Sequence, residues 1–184
     1  WSVDSGTGRW DFLNGPALSP LVPGKRVLDL GSHNCVLPLL MLRAGARQVV
    51  AVEQSEEVAA SARRLQRLFE WRDIATYDLD LRLADMRAML DSDWGSFDLV
   101  SSFCSLYYLE EEEMKRMVRR AAELAPVMVL QAKGDTRSRA PSNKAKKSAP
   151  EYLERLLREN GFPEVRSVAP RGFSRPLLIG RKGA

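Results

Sequence analysis

The feature that most constrains this 184-residue chain is the alternation of short, continuously apolar segments with longer amphipathic ones. The short segments have the length and composition of strands that are covered on both faces of a sheet. Two more strands are predicted near the end of the chain, joined by a turn that contains Gly172. The seven predicted strands are Arg26 to Leu30, Gln48 to Val52, Leu79 to Leu83, Phe97 to Ser101, Val127 to Ala132, Glu164 to Ala169 and Pro176 to Arg181.

The amphipathic segments between these strands carry helix start and stop signals. Ser55 is suited to cap a helix that runs to about Leu68, and a capping box of Ser148 and Glu151 predicts the start of the last helix. Gly45 and Gly161 are typical helix stops. The remaining predicted helices are Val36 to Ala44 and Glu110 to Leu124, the second of which has an acidic start and a basic interior.

Alternating strands and helices with short connections predict parallel pairing through right-handed crossovers. The predicted fold is therefore a doubly wound α/β architecture, with a mostly parallel seven-stranded sheet, helices on both faces and a C-terminal antiparallel hairpin. Residues 25–184 are expected to form this domain. Residues 1–24 are harder to place and are expected to form a lid or to pack on the edge of the sheet.

Composition narrows the class of protein without naming an activity. No run approaches the roughly 18 apolar residues of a membrane-spanning helix, and no secretion signal is recognisable, so a cytoplasmic location is expected. Cys35 and Cys104 have no neighbouring metal ligands or disulfide framework, so neither a metal site nor a redox role is predicted. The net charge of +4 permits an anionic substrate. Because the chain begins at Trp1, it is expected to be part of a longer protein with other domains.

Polar residues gather at the predicted carboxyl ends of the strands, which is where open α/β sheets bind ligands. The loop after the first strand contains Gly31, which allows a tight turn and a close approach to a ligand. Glu53 ends the second strand, about twenty residues after this loop. A carboxylate at that position can accept hydrogen bonds from both hydroxyls of a ribose. Asp85 follows the third strand, and Ser102 lies in the segment that follows the fourth.

From Val27 to Arg181 the sequence resembles the class I S-adenosylmethionine-dependent methyltransferases. The first family motif is similar to Val27-Leu28-Asp29-Leu30-Gly31, and the fourth-strand motif is similar to Phe97-Asp98-Leu99-Val100. The resemblance implies that Asp29 and Gly31 border the methionine part of the cofactor, that Glu53 holds the ribose, and that Asp85 and Met86 flank the adenine. The full set of expected cofactor-binding residues is Asp29, Gly31, Ser32, His33, Asn34, Glu53, Gln54, Asp85, Met86 and Ser102.

Several of these residues have alternative explanations. The family loop commonly carries glycine where this chain has His33 and Cys35, so His33 is expected to need an unusual backbone conformation. Asp29 could instead cap its own turn, and Asp85 could cap a short helix. These alternatives leave open a non-catalytic module that keeps the fold and serves as an interaction surface.

The acceptor is predicted from charge. The segment from Lys133 to Lys147 contains six basic residues and the single acid Asp135, and it follows the fifth strand on the ligand side. Arginines form bidentate hydrogen bonds with phosphate and carboxylate oxygens, so these charges favour an anionic acceptor. A loop that is simply exposed to solvent would explain the same charges. The predicted substrate-binding residues are Arg137, Arg139, Arg171 and Arg175, and the candidates for a general base are Tyr107, Asp135 and His33.

The predicted activity is methyl transfer from S-adenosylmethionine to oxygen of a small or carrier-linked anionic acceptor, such as a sugar, a phosphorylated metabolite or the end of a polysaccharide. An RNA-modifying methyltransferase is the second candidate. RNA binding would weaken steeply with salt, whereas turnover of a small molecule would respond less.

Overall fold

The computed structural model describes residues 8–11, 15–133, 142–169 and 175–183 of the chain. These residues divide into two compact units, Trp1–Ala88 and Met89–Ala184, which are described in turn.

The first unit contains three parallel strands in the order β3-β2-β1. Their registers place Leu28 opposite Val50, and Val50 opposite Asp80. Strands β1 and β2 are almost wholly buried, as expected for runs of Val and Leu that are covered on both faces. The bounds are β1 Arg26–Leu30, β2 Gln48–Glu53 and β3 Leu79–Leu83.

The helices of the first unit are α1 Gly15–Leu18, α2 Val36–Arg43 and α3 Glu56–Asp73. Helix α2 is apolar on all sides and buried, whereas α3 buries only Ala59, Ala62 and Phe69. Ser55 caps α3 as predicted, because its Oγ accepts a hydrogen bond from the Val58 N–H at 3.4 Å. A 3₁₀ helix, Met86–Leu90, follows β3 and crosses the boundary between the units.

The second unit contains four strands in the order β4-β5-β7-β6. Strand β4 runs parallel to β5, whereas β7 runs antiparallel to both β5 and β6. The bounds are β4 Leu99–Phe103, β5 Val127–Gln131, β6 Glu164–Val168 and β7 Leu177–Arg181. The helices are the 3₁₀ helix Leu106–Tyr108, α4 Glu111–Leu124, α5 Asn143–Lys147 and α6 Pro150–Glu159.

Helix α4 covers the second unit with a face of Met114, Met117 and Val118, none of which is exposed. Gly161 follows α6 with φ +115°, and a Cβ added there would lie 2.6 Å from the Ala122 Cβ. Both the positive φ and the close contact require glycine at this position, as the predicted helix stop implies.

The described strands form a seven-stranded, mostly parallel sheet with a C-terminal antiparallel pair, which confirms the predicted fold class. The fourth strand was placed two residues too early. Phe97 is buried but donates its N–H to the Leu124 carbonyl outside the ladder, so apolar character alone did not mark the start of the strand.

Two predicted helix boundaries are also wrong. Helix α3 continues to Asp73, beyond the expected end near Leu68. Helix α6 is capped by Ala149, whereas the Ser148 Oγ donates to the Ala145 carbonyl of the preceding helix. The serine is therefore used to end α5, a short helix within a segment that was predicted to be a loop.

Within the described ranges no helix is both long enough and apolar enough to cross a bilayer.

Candidate functional site

The loop between β1 and α2 is held against the end of β2 by a side-chain carboxylate and a backbone carbonyl. The N–H groups of His33 and Ser55 donate to the Glu53 Oε2 and Oε1 atoms, each at 2.9 Å. The N–H groups of Gly31 and Ser32 both donate to the Val52 carbonyl, at 3.0 and 2.9 Å. Glu53 is 9% exposed, so these bonds form in a largely desolvated place where they fix the loop firmly.

The backbone of this loop is left-handed at three alternate residues. Gly31 has φ 71°, His33 has φ 52° and Cys35 has φ 59°. This conformation suits glycine but costs on the order of 1–3 kcal/mol for a residue with a side chain. The unusual conformation expected for His33 is therefore present, and Cys35 shares it.

The side chain of Cys35 lies in the core of the first unit. It is fully buried and packs with Ala51 and Ala62, against which Leu79 and Leu81 are also packed. Burial raises the pKa of the Cys35 thiol above its usual range, and the carboxylates of Asp29 and Glu53 act in the same direction. The thiol thus anchors the loop by packing and is held in its neutral form.

The groups at this loop have hydrogen-bonding capacity to spare. A carboxylate has about four lone-pair positions, and the hydrogen bonds that His33 and Ser55 donate to Glu53 use two of them. The Nδ1 atom of His33 is buried without a hydrogen-bond partner among the described residues. Such an atom normally has a partner, so a ligand that brings hydroxyl or amino groups fits this loop.

The remaining predicted cofactor residues of the first unit differ in their surroundings. Asp29 is 2% exposed, and its carbonyl accepts a hydrogen bond from the Ser32 Oγ at 2.8 Å. The carboxylate of Asp85 accepts the Arg87 N–H at 2.8 Å and forms an ion pair with the Arg87 guanidinium at 2.9 Å. Asp85 therefore caps the 3₁₀ helix. Among the other predicted cofactor residues of this unit, Asn34 and Met86 are partly buried, whereas Gln54 is exposed.

In the second unit, the turn after β4 is organised by Ser102. Its Oγ lies 2.6 Å from the Ser105 Oγ and accepts the Leu106 N–H at 3.1 Å. Cys104, between the two serines, has a left-handed backbone with φ 62°. The hydroxyl that was predicted to contact the cofactor thus shapes the backbone at the carboxyl end of this strand.

Arg175 lies beside the same turn. Its Nη1 donates to the Cys104 Sγ at 3.8 Å, and its carbonyl accepts a hydrogen bond from the Gln131 Nε2 at 3.4 Å. Gln131 is 1% exposed and ends β5. A buried amide therefore fixes the backbone of a partly exposed arginine near the carboxyl ends of β4 and β5.

Two tyrosines and a lysine complete this part of the second unit. The rings of Tyr107 and Tyr108 stack with centroids 5.4 Å apart, and the Lys144 Nζ lies 3.3 Å from the centre of the Tyr108 ring. Tyr107 is 4% exposed and Tyr108 is 64% exposed. Burial is the main cause that raises the pKa of the Tyr107 phenol above its usual range. Pairing of Lys144 with Tyr108 was missed because α5, which carries Lys144, lies in a predicted loop.

Four predicted site residues, Asp135, Arg137, Arg139 and Arg171, lie outside the described residues. Within the ranges that are described, no cluster of three or more His, Cys, Asp or Glu side chains is arranged to hold a metal ion.

Comparison with solved structures shows a widely shared fold. Magnesium protoporphyrin IX methyltransferase from Synechocystis PCC 6803, with bound S-adenosylmethionine, has a TM-score of 0.66 and 18% identity over 98% of this chain and 79% of its own. An O-methyltransferase family protein from Burkholderia thailandensis has a TM-score of 0.69 and 15% identity over 87% of this chain and 51% of its own. The N-terminal domain of EvdMO1 with bound S-adenosylhomocysteine has a TM-score of 0.64 and 18% identity over 98% and 81%, respectively.

A search of curated protein sequences finds no significant match. The family model described as a methyltransferase domain, in contrast, matches residues 27–126. That match covers more than half of the chain and includes the loop after β1, Glu53, Asp85 and the turn after β4. The chain belongs to the methyltransferase-domain family and is a class I methyltransferase whose methyl donor is S-adenosylmethionine.

Proposed function

We propose that this methyltransferase transfers the methyl group to an oxygen of a small or carrier-linked anionic acceptor, such as a carboxylated or phosphorylated sugar or metabolite. The observation that carries the proposal is a pair of cations beside the turn after β4: Lys144 lies over the exposed ring of Tyr108, and the Arg175 guanidinium contacts the Cys104 Sγ. A cation placed over an aromatic ring leaves its remaining donors available to an anion.

In this proposal the first unit binds the cofactor. Glu53 already accepts hydrogen bonds from the N–H groups of His33 and Ser55, and its remaining lone pairs accept hydrogen bonds from the ribose hydroxyls. Gly31 allows the backbone to approach the methionine part, Asp29 and Ser32 to Asn34 line the same loop, and Gln54, Asp85 and Met86 lie on the adenosine side. S-adenosylmethionine supplies an electrophilic methyl group on a sulfonium that leaves as a neutral thioether, so orientation of the acceptor is the main requirement.

The chemistry of Tyr107 favours an acceptor that is already nucleophilic. A phenol acts as a base only when ionised, and burial raises the pKa of Tyr107 away from that state. A carboxylate or phosphate oxygen needs no base, because it carries no proton to remove. We therefore place such acceptors ahead of neutral sugar hydroxyls. A sugar framework stays within the proposal, since EvdMO1 was also crystallised in the presence of D-fucose.

The first test is calorimetric titration of the chain with S-adenosylmethionine and S-adenosylhomocysteine. Micromolar binding that is lost in Glu53→Ala and kept in Glu159→Ala, a change of an exposed glutamate on α6, supports the cofactor site. Absence of binding to either ligand contradicts the proposed cofactor site at Glu53 and the loop after β1.

The second test is an acceptor screen that follows release of S-adenosylhomocysteine. We expect turnover with carboxylated or phosphorylated small molecules, and we expect Lys144→Ala and Arg175→Gln to raise the acceptor KM with little change in kcat. Turnover with RNA that falls steeply as salt increases contradicts the small-molecule proposal.

A further inference from the structure

The outer face of α3 ends in three large apolar side chains that contact solvent. Leu68 is 59% exposed, Trp71 is 81% exposed and Ile74 is 94% exposed. Leu68 and Trp71 are three residues apart on the helix and Ile74 follows the last turn, so the three lie close together on one side. Large apolar side chains that are exposed side by side are uncommon in soluble domains and are a feature of contact surfaces.

Ile74 has a backbone conformation that isoleucine rarely adopts. It caps α3 with φ 50° and ψ 46°, and its N–H donates to the Glu70 carbonyl. This left-handed cap usually carries glycine or asparagine, and β-branched residues adopt it rarely. Because the side chain is 94% exposed, packing among the described residues does not explain the isoleucine. A contact with another molecule would explain it.

The charges around these three side chains are positive. Arg63, Arg64 and Arg67 are exposed, and within the described part of the chain none of them has an ion-pair or hydrogen-bond partner. Arg64 and Arg67 lie on the same helix face as Leu68 and Trp71, at spacings of three, four and seven residues. The surface therefore combines free arginines with exposed apolar groups.

Two acidic groups at this end of α3 have partners, but only one of them is ion-paired. Glu70 Oε1 accepts hydrogen bonds from the Tyr77 N–H and the Gln66 Nε2, each at 3.0 Å. Asp73 forms ion pairs with Arg72 at 2.9 Å and with Arg43 at 3.5 Å. The charge of Asp73 is therefore offset by its two arginines, whereas Glu70 keeps its negative charge because both of its donors are neutral. The three free arginines outnumber this one acid, so the surface stays positive.

An exposed helix face of Leu and Trp flanked by arginines is typical of helices that lie at a bilayer surface, with tryptophan at the headgroup level and arginine at the phosphates. The opposite face of α3 is occupied by core packing through Ala59, Ala62 and Phe69, so the outer face can meet a surface without unfolding of the helix. We propose that the C-terminal half of α3, with Ile74, docks the chain peripherally on membranes that contain anionic lipids. This proposal does not depend on the identity of the methyl acceptor.

The test is co-sedimentation of the full chain with vesicles of phosphatidylcholine alone or with added phosphatidylserine. We expect binding only when phosphatidylserine is present, and weaker binding at higher salt. Arg64→Gln and Arg67→Gln are each expected to weaken binding about fivefold. Trp71→Ala is expected to weaken it as well. Arg116→Gln on α4, a matched change of an exposed arginine in the second unit, is expected to leave binding unchanged.

Ile74→Gly separates docking from folding. Because glycine relieves the left-handed conformation, the unfolding midpoint is expected to rise by about 2–4 °C while vesicle binding weakens. Three outcomes overturn the proposal: no binding to phosphatidylserine vesicles, equal binding by the α3 variants and the wild type, or a dimer without vesicles that Trp71→Ala dissociates. The last outcome assigns the surface to a second copy of the chain.

Discussion

The backbone N–H of His33 lies 2.9 Å from the Glu53 Oε2 atom, so the carboxylate at the end of β2 helps to hold the loop that follows β1. The other oxygen of Glu53 accepts the N–H of Ser55, the cap of α3. One side chain therefore joins the proposed cofactor loop to the start of the next helix. Its loss is expected to affect both stability and, under the proposed function, cofactor binding, and the two effects can be measured separately.

Glu53→Gln is expected to retain much of the fold and to lose much of the cofactor affinity. The amide keeps one acceptor oxygen for a backbone N–H but cannot accept at both positions, so unfolding is expected to cost about 1–2 kcal/mol less. Affinity for S-adenosylhomocysteine is expected to fall at least about tenfold, since one ribose hydroxyl loses its acceptor. Thermal unfolding and calorimetry measure the two effects. Unchanged affinity in a folded variant contradicts the proposed role of Glu53.

His33→Gly and Cys35→Gly are expected to have different effects on stability. Both residues are left-handed, so glycine relieves conformational strain at each. At His33 the expected gain is about 1 kcal/mol, or about 2–4 °C in the unfolding midpoint. At Cys35 glycine also removes a fully buried side chain that packs with Ala51 and Ala62, and the cavity left behind offsets the gain. Equal stabilisation by the two variants would show that the Cys35 thiol contributes nothing to packing.

The architecture was predictable because its determinants are local. The apolar run Arg26–Leu30 is bounded by charged or small residues, and the predicted and observed strands coincide. The acidic start of the helix after β4 also located that element well: Glu110 and Glu113 form a reciprocal capping box. Strong propensity and a clear boundary residue therefore suffice where neighbouring segments do not compete for the same side chains.

The errors occur where tertiary contacts decide. Ile74 ends α3 in a conformation that sequence rules reserve for glycine or asparagine, so no local signal marked the true end of the helix. The position of Lys144 over Tyr108 depends on the turn after β4 meeting α5, which are 36 residues apart in sequence. Spacing cannot reveal such a contact. For the same reason, the sequence pattern showed that Cys35 stands where the family commonly has glycine, but it did not show that the Cys35 thiol enters the core.

Tyr107→Phe tests the assignment of Tyr107 as a packing residue. Its phenol is buried and its pKa is raised, so we expect kcat to change less than about threefold and the pH profile to keep its shape. Steady-state kinetics with the acceptor found in the screen provide the measurement. A loss of about 100-fold or more, with disappearance of one limb of the pH profile, would instead identify Tyr107 as a general base.

Asp73 is expected to make stability depend on pH in the acidic range. Hydrogen bonds from Arg72, followed by one from Tyr77 and the charge of Arg43, lower the pKa of Asp73 from 3.8 to about 2. A carboxyl group with a lowered folded-state pKa stabilises the fold above its unfolded pKa and loses that contribution as pH falls through the folded value. The wild type should therefore be more stable than Asp73→Asn above about pH 4, and the difference should shrink towards about pH 2.

Chemical denaturation of the wild type and Asp73→Asn at a series of pH values measures this difference. Asp91→Asn, which removes an exposed carboxylate after the 3₁₀ helix Met86–Leu90, controls for the general effect of net charge. If the Asp73→Asn difference stayed constant between about pH 5 and about pH 2, the ionised carboxylate would not be what holds Arg72 and Tyr77. A difference that shrinks only for Asp73→Asn instead links the end of α3 to the loop before β3 through one charge, because Tyr77 lies in that loop.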